Sequence, residues 1–87
     1  MLTPAQAIVD LRNDVATLPH PALRQALRVQ LNVALAALAQ RKPTLACQSM
    51  RNFSLLVQVA RGRWITRPRA DYLLAQSRDI RALMGCR

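Results

Sequence analysis

Residues 61 to 69, "RGRWITRPR", set Arg61, Arg63, Arg67 and Arg69 around the chain's one tryptophan, Trp64. Guanidinium groups grip oxyanions, and an indole stacks on a base, a sugar or a partner's side chain. This stretch is therefore the candidate contact for an anionic partner. Cys47 and Cys86 are the only thiols. Two cysteines and one histidine are too few soft ligands for a structural zinc site. His20 stands between Pro19 and Pro21 in an expected turn, where an exposed imidazole is expected to be inert. The chain has no glutamate, and no carboxylate is obviously placed to orient His20 as a base. Asp10 and Asp14, at i and i+4, would make a weak dicarboxylate metal site. With Asp71 and Asp79 they are expected to form solvated pairs with neighbouring arginines. There is no glycine-rich phosphate loop. No enzyme, metal or cofactor chemistry is expected.

Cys47 needs a separate weighing. It falls in the first turn of an expected helix, near Arg41 and Lys42, where a thiolate is favoured. A catalytic pair would need His20 beside it. A helix from about Leu23 to Ala39 should hold the two apart by roughly 25 Å. A disulfide with Cys86 is the expected role.

The elements that must position these groups are helical. The 87 residues are 52% hydrophobic, with Phe53, Trp64 and Tyr72 as the only aromatics and two glycines. Ala and Leu favour helices, and strand-forming residues are scarce. Thr3, Pro4 and Gln6 read as a capping box with proline at the first helical position. Ile8, Leu11, Val15 and Leu18 follow at helical spacing. Pro19–Pro21 ends that helix and starts a second, striped by Leu23, Leu27, Leu31, Leu35 and Leu38 with Ala26 and Ala34 beside them. Residues 40–44 break the pattern, with Thr44 as the expected cap of a third helix that buries Met50, Phe53, Val57 and Ala60. Gly62 stops it. Thr66 caps a fourth helix with Ala70, Leu73, Leu74, Ser77, Ile80 and Leu83 inward, ended by Gly85.

Short connections make antiparallel neighbours, so the expected fold is all-α: a compact up-and-down bundle of four helices, the first short, in one domain over residues 1–87. A chain of this size buries roughly two-thirds of its unfolded surface. Gly62 to Thr66 is then a helical hairpin with Ile65 as an apolar plug. A DNA-binding helix-turn-helix needs a tighter turn, and Pro68 would sit in the first turn of its recognition helix.

Antiparallel pairing of the third and fourth helices sets the start of one beside the end of the other. Cys47 precedes Arg61 by about four helical turns and Cys86 follows Arg67 by about five. Gly85 can fold the chain back across the remaining turn, so Cys47 and Cys86 are expected to bond, in place of two free buried thiols. Such a bond implies an oxidising compartment, secreted or periplasmic.

The net charge is +9 from 13 Lys and Arg against four Asp. That balance favours polyanions: nucleic acid, anionic lipid or an acidic protein face. The basic residues are nevertheless spread over every helix, which suits a soluble surface better than one reading stripe. Arginine over lysine also fits the codon usage of a GC-rich genome. No apolar run approaches the ~20 residues of a membrane span, and Met1 leads into a helix start with no signal-peptide pattern.

From Leu23 onward, "ALRQALRVQLNVALAALAQRK", "ACQSMRNFSLLVQVARGRWIT" and "RADYLLAQSRDIRALMGC" carry a conjunction of landmarks. A leucine-spaced helix leads to Ala46-Cys47, then Phe53, Val57, a Gly62-x-x-Ile65-Thr66 hairpin, Ala70, Ile80 and a closing Gly85-Cys86. This order resembles the FIMAH domain, a small helical module found mostly near the C-termini of secreted bacterial proteins. The resemblance implies a non-catalytic accessory module that binds or spaces, excised from or terminal to a larger exported protein. It departs from the family's pattern in its arginine content, which leaves room for an anionic partner of its own. The alternative is a small basic nucleic-acid-binding helical protein.

Overall fold

A computed structural model of the chain describes residues 3–86. Four helices form: α1 Pro4–Val15, α2 Pro21–Ala39, α3 Pro43–Ala60 and α4 Arg67–Leu83. Each has proline at its first or second position, where the missing N–H has no intrahelical partner to lose. Among the described residues there is no strand, only a single bridge between Arg61 and Ile65. α1 packs on α2 and α4, and α3 on α2 and α4. The helices thus close a square in which each packs closely on its two neighbours, as in an up-and-down bundle. The body measures 35 × 21 × 20 Å.

The inward stripes are those of the heptad-like leucine spacing. Ile8, Leu11, Val15 and Leu18 are buried with Leu23, Leu27 and Leu31 of α2, Met50, Phe53 and Val57 of α3, and Leu73 and Ile80 of α4. Phe53 is the largest side chain fully removed from water. Ala34, Ala37, Ala46 and Ala60 are also buried and let the helices approach closely. Ile65 is buried in the hairpin as an end plug.

Leu83 corrects the expected stripe of α4. It is 49% exposed, because it lies on the stripe's flank and rims the cleft between α1 and α4. Ser77 is fully buried and shares a 2.6 Å hydrogen bond with Ser54. Ser54 also donates to the Met50 carbonyl at 3.1 Å. This pair ties α3 to α4 with its polar atoms satisfied, the condition for burying hydroxyls cheaply.

Three end signals differ from the sequence reading. Thr44 lies inside α3, whose cap position is Lys42 with no side-chain hydrogen bond; Pro43 already supplies the helical start. Thr3 caps α1 by accepting from the Gln6 amide N–H, but the Gln6 side chain turns forward to Asp10 and leaves the box half made. Thr66 holds the cap position of α4 without a side-chain bond.

α2 and α4 end alike. The N–H of Lys42 reaches back to the Ala37 carbonyl at 2.8 Å and that of Cys86 to the Arg81 carbonyl at 2.9 Å. The intervening residue is left-handed in both, Arg41 at φ 57° and Gly85 at φ 73°. This is the Schellman closure. At α4 it swings Cys86 onto Cys47, and the two are bonded with Cα atoms 5.7 Å apart.

Candidate functional site

The hairpin of residues 61–66 is fixed by its own backbone. Three successive N–H groups, from Arg63, Trp64 and Ile65, converge on the Ala60 carbonyl at 3.0, 3.0 and 3.2 Å. The Gly62 N–H closes on the Ile65 carbonyl at 2.8 Å. Gly62 sits at φ +76°, a conformation that favours a residue without Cβ. The side chains of the cluster are thus carried on a rigid turn at one end of the bundle.

Up-and-down topology brings the α1–α2 turn, residues 16–20, to the same end. His20 is the N-cap of α2: its Nδ1 accepts the Leu23 N–H at 3.1 Å. The imidazole also stacks on the Trp64 indole, centroids 5.2 Å apart and planes inclined by 28°. His20 therefore has two structural contacts, where sequence reasoning expected an inert turn residue. Trp64 keeps 49% of its surface exposed.

The arginines of the cluster divide. Arg61 donates to both oxygens of Asp71 at 2.7 and 3.2 Å, the one ion pair among the described residues. Arg69 donates to the Asp14 carbonyl at 3.2 Å and to the Thr17 hydroxyl. Arg24 joins them by donating to the Leu18 carbonyl at 3.0 Å. These cations satisfy carbonyls at and beyond the C-terminus of α1, where positive charge is favoured. Arg63 and Arg67 make no side-chain hydrogen bond or ion pair to the described residues and are exposed. With Trp64 they form the accessible part of the candidate contact.

Hydrogen bonding by Arg61 lowers the Asp71 carboxyl below its usual value, and Asp71 in turn raises Arg61. The other expected acid–arginine pairs do not form. Asp10 and Asp14 accept from the side chains of Gln6 and Gln76. Arg12, two residues from each, faces α2 and bonds Asn32 at 3.0 Å. Positions two apart on a helix do not share a face.

Cys47 is bonded and so is no nucleophile, and His20 is engaged by Leu23 and Trp64 instead. No helix is long and apolar enough to cross a membrane among the described residues. Compared with protein-family models, curated proteins and solved structures, the chain matches none.

Proposed function

We propose that this chain is a non-catalytic module of an exported bacterial protein. It makes contact with an anionic partner, another protein or a surface, through Arg63, Trp64 and Arg67 at its hairpin end. The observation that carries the reading is the Cys47–Cys86 disulfide. Disulfides persist in oxidising compartments and are rare in the cytosol, and a core this small gains much from a staple. The landmark order resembling the FIMAH domain supports the same reading.

The test has two parts. Fractionation of the native producer, with thiols trapped by alkylation before lysis, should find the module outside the cytoplasm and oxidised. A reduced, cytoplasmic chain overturns the proposal. Nucleic acid should bind only weakly, with strong salt dependence and no preference for sequence. Submicromolar, sequence-discriminating binding at physiological salt, lost in a Trp64→Ala, Arg63→Ala double variant, would replace it with an intracellular nucleic-acid-binding module.

A further inference from the structure

At the other end of the bundle, a solvent-open groove of about 720 Å³ runs along α3 beside the disulfide. Thr44, Gln48, Arg51 and Asn52 of α3 line it, Arg81 of α4 and the Cys47–Cys86 bond close one side, and Leu55 makes an apolar end. No carboxylate of the described residues lines it. The four aspartates are elsewhere: Asp71 holds Arg61, and Asp10, Asp14 and Asp79 line the cleft between α1 and α4.

Two observations show that the cations lining this groove lack an acceptor among the described residues. The Nε of Arg81 is buried and has no hydrogen-bond partner among the described residues, and buried guanidinium N–H groups are ordinarily paired. Arg51, exposed on the facing helix, makes no side-chain hydrogen bond to the described residues either. The start of α3 adds to the field, since Lys42 provides no side-chain cap and the first turn holds no acid. Its N–H dipoles thus stand uncompensated where Thr44 meets the groove.

We propose that this groove binds a phosphate or sulfate monoester, with the oxyanion between Arg51 and Arg81 and the ester's uncharged body along Asn52 and Leu55. Two guanidinium forks, two amides and a hydroxyl offer more donors than a planar carboxylate has lone pairs to accept them, and a tetrahedral oxyanion uses them better. The groove continues past the two arginines to Asn52 and Leu55, which gives the uncharged body of an ester a place to lie that a bare ion would not use. This site is independent of the hairpin contact, which lies at the opposite end.

The test is a titration of the ¹⁵N-labelled, oxidised chain, followed by NMR at constant ionic strength. The probes are glycerol 3-phosphate, methyl sulfate, inorganic phosphate and acetate. Either monoester, the tighter one naming the natural class, should shift the Arg81 Nε–H and the Gln48 and Asn52 amide signals to saturation. It should bind several-fold more tightly than inorganic phosphate, and acetate should bind worst. Arg51→Gln and Arg81→Gln should each weaken the monoester roughly tenfold or more, as loss of a charge-assisted contact does. An Arg63→Gln, Arg67→Gln double variant should bind unchanged. Arg51 is exposed, so its variant tests the site even where Arg81→Gln disturbs folding. The proposal is overturned by shifts no larger than acetate produces, by equal affinity for monoester and inorganic phosphate, or by dependence on Arg63 and Arg67 in place of Arg51.

Discussion

The two ends of the bundle hold themselves together in opposite ways. The hairpin end is rich in arginine, yet Arg24, Arg61 and Arg69 are all occupied by acceptors of the chain itself. They complete the open carbonyls of α1 and its turn and anchor α4's first turns. The disulfide end is closed covalently, and Arg81 is left there with a buried donor that has no partner among the described residues. Density of positive charge along a sequence therefore does not measure its availability. Availability depends on whether a neighbouring turn or helix offers an open carbonyl or a carboxylate, as it does for Arg24, Arg61 and Arg69.

Truncating the core should affect both ends together. Phe53→Ala removes the largest fully buried side chain and should cost ~3–5 kcal/mol. Trp64 fluorescence and far-UV circular dichroism should lose their signals in one transition. A variant melting within a few degrees of the parent would contradict the packing described. Replacing both cysteines by alanine should cost about 4 kcal/mol in the chain-entropy model, read by urea unfolding. This change should separate the ends. The Trp64–His20 stack should survive in the folded variant, while monoester binding beside the missing staple falls.

The paired helix terminations at the disulfide end allow a finer comparison. Arg41 takes the left-handed place in α2 that Gly85 takes in α4, and a side chain there costs roughly 1–2 kcal/mol. Arg41→Gly should stabilise by about 0.5–1 kcal/mol, after the unfolded chain's added freedom is subtracted. Gly85→Ala should destabilise. The smallest effect belongs to the hairpin end. Asp71 titrates below its usual value because Arg61 bonds its charged form. The stabilisation is therefore present above the unfolded carboxylate's pKa of about 4 and is lost as pH falls through the lower folded value. Asp71→Asn should flatten the loss of melting temperature between about pH 5 and about pH 3, slightly, because the pair is solvent-exposed.

Most of the fold was legible because helical periodicity reports faces directly. The stripes of α1 and α3, the Ile65 plug and the Cys47–Cys86 bond all followed from spacing, proline placement and antiparallel geometry. Side-chain partners were less legible. The bond from Arg69 to Thr17 joins residues far apart in sequence, and its existence depends on how α4 meets the α1–α2 turn. Likewise, the pairing of His20 with Trp64 requires two turns to share one end at stacking distance. Local propensity also competed with itself: Thr44 and Pro43 both signal a helix start, and proline prevailed. Ser77 was placed inward by periodicity, but its partner Ser54 sits on another helix and no local pattern announces it.

The staple is the central claim, because the exported reading rests on it and it forms a wall of the monoester groove. Intact-mass analysis after alkylation of the natively prepared chain without reductant tests it directly. No alkyl group should add to the native chain, and two should add after reduction under denaturing conditions. Two alkyl groups added before any reductant would contradict it.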